Sequence, residues 1–294
     1  MDEKQPNIGR NANILPRKHW KYFACGIVLI YGLFIVAFKE LPDEKMHLRF
    51  LDVGQGDSVL IQTPEGHNIL IDGGPKSEVL KQLSSTLPFF NKEIDFLVLT
   101  HPHSDHLEGL VEVLKKYKVH AVLVTGIAYK NSYYKEFLKD LNKLADEGEI
   151  KLYTAIASQD FKLGSVYFDT LYPFESLAGK TIKNLNNSSI AFRVLYKDTA
   201  ILLTGDDESM VEEEILKSGE EISADIFKAA HHGSKTANSY EFLQAVSPGT
   251  AVIQCGKNNQ FQHPHAETLR TFYRLGIKNV FRNDLDGRVE FEFD

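Results

Sequence analysis

FLVLTHPHSDH, residues Phe96–His106, is an apolar, β-type run that ends abruptly in polar residues. His101, His103, Asp105 and His106 fall within six positions of one another at its end. Imidazoles and a carboxylate set beside a buried strand are costly unless something binds them. A first-row divalent cation does so directly, because neutral imidazole nitrogen and carboxylate oxygen are its ordinary ligands. So tight a spacing lets one loop aim several donors at a single place.

The neighbouring sequence builds a scaffold around that loop. His47–Val53, Ser58–Thr63 and Asn68–Asp72 read as a β-meander, its last two runs separated by the turn Pro64-Glu65-Gly66. Strand-like and helix-like runs then alternate: Ile94–Thr100, Leu107–Tyr117, Val119–Gly126, Tyr133–Ala145 and Lys151–Ile156. A second β-rich group, Ser189–Tyr196 and Ala200–Asp206, leads into helices at Met210–Lys217, Ser239–Ala245 and Ala266–Leu275 among further strands. Strands in blocks with helices between them predict an α/β fold of sheets packed together with helices outside. No later linker divides residues 46–294, so they are expected to form one domain. The composition, 43% hydrophobic and 25% charged, excludes collagen-like and disordered classes. A net charge of -7 excludes a generally basic nucleic-acid coat, so any such contact must be local.

The N-terminus carries a different signal. Tyr22–Phe38 holds 17 residues without a charge, about 25 Å as a helix. Lys4, Arg10, Arg17, Lys18 and Lys21 precede it, whereas acidic residues offset Lys39 and Lys45 after it. The expected layout is a basic cytoplasmic tail (1–21), a transmembrane signal anchor (22–38), a linker (39–45) and an extracytoplasmic domain (46–294). Cys25 sits in the apolar run, so a disulfide with Cys255 is not expected.

Several separated motifs share one family pattern: LDVGQGDSVLIQTPEGHNILIDGG, THPHSDHLEGL, NNSSIAFRV, ILLTGD, FKAAHHGSKTANS and HPH. With them the chain resembles the metallo-β-lactamase-fold hydrolases, and most of all the extracytoplasmic hydrolase domain of ComEC-type DNA-uptake proteins. The resemblance implies a four-layer αββα sandwich and two divalent ions, Zn²⁺ or Mn²⁺. It also implies their ligands: His101 and His103 for one, Asp105 and His106 for the other, Asp206 between them, and His231 as a further ligand. His232 is the alternative to His231, since neighbouring side chains of a strand face opposite ways and the register is open. The general family pattern has another histidine before the bridging aspartate. Here Asn186–Ser189 occupies that place, with Asn187 a weak oxygen donor, so a more open and less zinc-selective first site is expected.

Asp105 and His263 are the expected catalytic groups, the first to bind metal and orient a water. Ser234, Lys235 and His265 are candidates to contact a phosphate. Asp57 and Asp72 end or begin buried strands, where they serve as turn formers or as outer partners of the ligands; Asp284 is a weaker candidate of the same kind. Lys130 and Tyr133, in a stretch interleaving aromatics with lysines, suit a single nucleic-acid strand. The expected activity is a membrane-anchored, metal-dependent phosphodiesterase or nuclease. The alternatives are a hydrolase of envelope phosphodiesters, lactones or thioesters, and a non-catalytic accessory of DNA uptake.

Overall fold

A computed structural model describes residues 17–39, 43–88 and 91–294, with the backbone alone for 17–19 and 33–39. The chain divides into two compact units, 1–41 and 42–294. In the first, helix α1 runs over Arg17–Lys39. Among the described residues no helix is long and apolar enough to cross a membrane. The basic tail at 1–16, positions 40–42 of the expected linker and the side chains completing the apolar run at 33–38 lie outside the described residues.

The second unit opens with the meander read from the sequence: β1 (Met46–Phe50), β2 (Val59–Gln62) and β3 (Asn68–Ile71), each antiparallel to the one before. Then α2 (Glu78–Thr86), β4 (Glu93–Val98), α3 (Ser104–Lys116), β5 (Lys118–Val124), α4 (Ser132–Asp146) and β6 (Lys151–Thr154) follow, with β3 to β6 parallel. A second sheet repeats the plan. Its antiparallel part is β7 (Phe161–Leu163), β8 (Val166–Tyr172), β9 (Ala191–Tyr196) and β10 (Thr199–Leu203). Its parallel part continues through α5 (Ser209–Ser218), β11 (Ile226–Lys228), α6 (Tyr240–Val246), β12 (Thr250–Ile253), α7 (Ala266–Leu275) and β13 (Asn279–Arg282). After the turn of helix α8 (Asn283–Asp286), β14 (Val289–Phe293) returns to pair with β1. Among the described residues the sheet orders are β14-β1-β2-β3-β4-β5-β6 and β13-β12-β11-β10-β9-β8-β7.

Strand alternation explains the layers. In β3, Ile69 and Ile71 enter the core between the sheets with Phe96, Phe168 and Phe192, whereas Leu70 faces the opposite way. Leu70 and Leu97 pack against Leu107, Leu110 and Phe137 from α3 and α4. On the other sheet Leu202, Phe227 and Ala251 meet Val211, Phe242 and Phe272 from α5, α6 and α7. The result is the expected sandwich of two mixed sheets with helices outside. Its parallel strands β3, β4, β10, β11 and β12 all lead into loops at one end, where ligands of such sheets ordinarily bind.

Candidate metal centre

The loop after β4 delivers His101 and His103, and the first turn of α3 delivers Asp105 and His106. His106 sits on the helix face that also buries Leu107 and Leu110, so its ring is driven inward with them. Asp105, one position earlier, is 28% exposed, and its Oδ2 lies 3.2 Å from His232 Nε2. The loop after β3 is stitched to this helix by backbone: Gly73 N donates to His106 O (2.7 Å) and Gly109 N to Gly74 O (3.0 Å). No side chain fits at that crossing, because a Cβ on Gly109 would lie 1.9 Å from the Gly73 carbonyl oxygen.

Three rings converge on Asp206, at the end of the TGD turn after β10. His106 Nε2 is 3.2 Å, His232 Nε2 3.3 Å and His101 Nε2 3.9 Å from Asp206 Oδ2. In each ring Nδ1 is held from outside. Asp72 Oδ2 lies 2.8 Å from Nδ1 of His106, the Gln254 carbonyl oxygen 2.9 Å from that of His232, and the Thr100 and Ser189 hydroxyls 3.2 Å from that of His101. Such outer partners fix the tautomer and leave Nε2 for a cation. His103 joins through Nδ1, 2.9 Å from His101 Nε2.

The donor set fits a divalent metal on a physical test. His106 Nε2, His232 Nε2, Asp206 Oδ1 and Asn186 Oδ1 are buried without a hydrogen-bond partner. Orphaned groups of that kind are rare in folded proteins unless an ion or water completes them. His101, His106 and Asp206 form one set of mutually close donors, and Asp105, His106 and His232 another.

Electrostatics tighten the cluster. Burial opposes charge on His106, but Asp206 and Asp72 outweigh it and raise its pKa well above the imidazole range. Burial likewise opposes ionisation of Asp206, yet His232 and His106 hold its pKa well below the carboxylate range. His101, buried beside His106, is pushed well below the ordinary value.

The structure places the two candidates, His231 and His232, differently. Ala230–Gly233 is a 3-10 turn and not a strand, with φ of 49° at His231 and 54° at His232, so two-residue alternation does not apply. That left-handed turn turns His232, 2% exposed, into the cluster. His231 instead faces the rim, where Asn186 Nδ2 (3.4 Å), Thr236 Oγ1 (3.3 Å) and Glu208 Oε1 (3.5 Å) surround it. Asn187 Oδ1 accepts the Glu208 N–H at 3.1 Å, whereas the buried Oδ1 of Asn186 has no hydrogen-bond partner.

Of the remaining candidates, Asp72 binds Thr100 N (2.8 Å), Thr100 Oγ1 (2.6 Å) and His106. Asp57 pairs with Lys228 and lies 3.1 Å from His232 Nδ1. His263 is buried, its ring 5.4 Å from His231 and 5.9 Å from His232. Burial, with the neighbouring histidines His232, His231 and His265, pushes its pKa down to about 4. Lys235 is exposed on the rim, its N–H donating to His265 Nδ1 at 3.1 Å. Ser234 is buried, its hydroxyl 3.1 Å from Thr236 Oγ1. Tyr133, in the first turn of α4, and Lys130, just before it, are exposed, and among the described residues no hydrogen bond, ion pair or ring contact joins them to the histidines. Asp284 pairs with Arg282 (2.6 Å) and accepts from the Cys255 thiol at 3.3 Å.

Lys228 was not singled out by the sequence. It ends β11 with 2% exposure, donates to the Gly205 carbonyl at 2.9 Å and lies 3.7 Å from Asp206 Oδ1. A lysine closing an otherwise apolar strand, in IFKAA, is the signal that could have found it.

Residues 51–257 match the model of the metallo-beta-lactamase superfamily. The chain belongs to that superfamily. Its fold is generally that of metal-dependent hydrolases, in keeping with the donor set. The chain is 31% identical over 262 residues to ComE operon protein 3 of Bacillus subtilis (strain 168), covering 83% of this chain and 32% of that protein. It is 30% identical over 270 residues to Competence protein ComA of Neisseria gonorrhoeae, covering 90% and 35%. The chain thus spans about a third of the length of these curated relatives. They bear out the resemblance to competence proteins read from the motifs. Among solved structures, the metallo-beta-lactamase fold protein YhfI from Bacillus subtilis superposes with a TM-score of 0.55 at 13% identity, covering 84% of this chain and 99% of that one, a likeness of fold alone.

Proposed function

We propose that the chain is a metal-dependent phosphodiesterase that cleaves nucleic-acid strands. The observation that carries this reading is the aim of His106 Nε2 and His232 Nε2 at Asp206, with Asp105 on the solvent side of the same point. His101, His103 and Asp206 would hold one ion, and Asp105, His106, His232 and Asp206 the other. A pair of divalent ions there supplies an activated water and stabilises charge developing on phosphate oxygens. The chain's own residues do the rest. Asp105, the partly exposed carboxylate, would accept a hydrogen bond from the incoming water and align it. His263 hydrogen-bonds a phosphate or leaving oxygen from the rim, and Lys235 neutralises a flanking phosphate. Asp72, Gln254 and Ser189 keep the rings pointed inward.

The choice of a nucleic-acid substrate is supported by relatives named for competence and by one named Recombination protein 2, 27% identical over 278 residues. The choice of metal, Mn²⁺ beside Zn²⁺, is supported by Asn186, whose buried amide oxygen has no hydrogen-bond partner and is a harder, weaker donor than an imidazole. We place α1 in a membrane with the second unit outside, on the uncharged run at 22–38 and the basic residues before it.

Cleavage of labelled single-stranded DNA by the full chain, chelated and then given Mn²⁺ or Zn²⁺, tests the activity. Metal-dependent cutting that disappears in Asp105→Ala is the expected result. A chain that binds metal and leaves the strand intact overturns the nuclease reading. Carbonate extraction and protease accessibility test the anchor; release with carbonate would refute it.

A further inference from the structure

Phe261 is 50% exposed although it lies beside the buried ring of His263. Its ring stacks on His263 at a centroid distance of 5.7 Å and an interplanar angle of 24°. His263 in turn lies 5.9 Å from His232, and His232 5.4 Å from His106. A line of rings therefore leads from the metal cluster to an aromatic face open to solvent.

The loop that carries Phe261 is held rigid. Asn259 alone ties it three ways: Nδ2 donates to Gly256 O (2.9 Å) and His263 O (2.7 Å), and Oδ1 accepts His263 N–H (2.9 Å). Gly256 N donates to Gln55 Oε1 at 3.0 Å, fastening the loop to the one that carries Asp57. Asn258 and Gln262 adopt left-handed φ of 55° and 60°. Backbone held in that region without glycine marks a loop whose shape is fixed by its surroundings. Lys257, in the same loop, and Lys235, whose N–H donates to His265 Nδ1, are exposed. An apolar ring kept half in water on a rigid loop, flanked by cations and next to a phosphodiester site, matches the parts of a single-strand platform.

We propose that Phe261 is the base-stacking platform of this site. Resting on the phosphodiesterase reading, it sets the substrate class as a single strand with unpaired bases: one phosphate lies over the cluster and a neighbouring base covers Phe261. Stacking is tolerant of base identity, so the platform selects for a base and not for a sequence.

Binding measured without cleavage separates this inference from that reading. Fluorescence anisotropy of the full chain in an Asp105→Asn background, its metal content confirmed by mass spectrometry, compares oligo-dT with the same strand carrying abasic sites. Phe261→Ala and Phe261→Leu are expected to weaken oligo-dT binding about 5- to 150-fold and to leave the abasic strand within about twofold. Phe261→Trp is expected to restore it. Equal weakening on both strands, or full retention in Phe261→Leu, would show that the ring merely packs on His263 and overturns the proposal, as would strand binding indifferent to every variant. Binding that depends on Phe261 and on bases, in a chain that never cuts, would keep this inference and sink the nuclease reading. Absence of strand binding overturns both.

Discussion

The ammonium of Lys228 is locked onto the carboxylate of Asp57 inside the wall behind the histidines, both side chains all but excluded from water. Asp57 also lies 3.1 Å from His232 Nδ1, so the pair braces a ring that faces the proposed metal site. Burial alone would push the lysine to neutrality, but Asp57 and Asp206 outweigh it and raise its pKa. Removing one member of a buried pair strands the other without compensation, at about 3–5 kcal/mol. Lys228→Met is therefore expected to lower the unfolding free energy of the metal-free chain by about that much. Lys228→Met combined with Asp57→Asn should recover part of the loss, since neither charge remains. Urea unfolding of the two single variants and the double variant checks the coupling; strictly additive losses would contradict it.

His231 and His232 are adjacent in sequence, yet only His232 enters the cluster. His232→Ala is expected to weaken metal binding by more than the roughly 10–100-fold that loss of an outer partner costs, and His231→Ala by no more than about tenfold. Titration calorimetry with Mn²⁺ and Zn²⁺, with metal content read by mass spectrometry, distinguishes them. The reverse order would restore His231 as the ligand.

The crossing of Gly73 and Gly109 fixes how Asp72 meets His106. Alanine in the middle of a helix gains about 1 kcal/mol over glycine. At position 109 that gain is smaller than the clash, because the new methyl would press on a backbone oxygen 1.9 Å away and on Val79 Cγ1 at 2.8 Å. Gly109→Ala should destabilise the chain by about 1–3 kcal/mol net and weaken metal binding with it. Lys115→Ala, an exposed change on the same helix, should stay within about 0.5 kcal/mol. Thermal unfolding of both settles the comparison.

Much of this centre is legible in the sequence because its parts are local. HPHSDH follows a strand and starts a helix, so spacing alone puts Asp105 and His106 in one helical turn with different outlooks. The TGD turn likewise carries Asp206 directly off a buried strand. What is not legible depends on unusual backbone or on distant packing. HHGS reads as a strand end, and only a left-handed turn at both histidines decides which one points inward. NNSS offers two asparagines, and a 3-10 turn over Leu185–Ser188 assigns the free oxygen to Asn186. Lys228 looks like a solvated lysine until β10 and the Asp57 loop close over it. Ser234 and Lys235 are neighbours of opposite fate, since Ser234 is turned under the loop while Lys235 stays outside.

Cys255 shows how the same packing bears on stability. Its thiol is fully buried at the end of β12 and donates to Asp284 Oδ1 at 3.3 Å. Burial and the Asp284 carboxylate together push its pKa up to about 12, against about 8.5 for a free thiol. Below the free value both folded and unfolded chains hold the proton, and the contribution to stability is complete. As pH rises from there toward 12 the unfolded chain gives up the proton while the folded one keeps it. The unfolded state then binds fewer protons, so stability falls by up to about 1.4 kcal/mol per pH unit in that window. Cys255→Ala should flatten that part of the alkaline limb relative to the parent. In a Cys25→Ser background, iodoacetamide at pH 8 should leave native Cys255 unmodified and alkylate it once the chain is unfolded. Prompt modification of the native thiol would place Cys255 in contact with solvent and contradict the burial on which the pH argument stands.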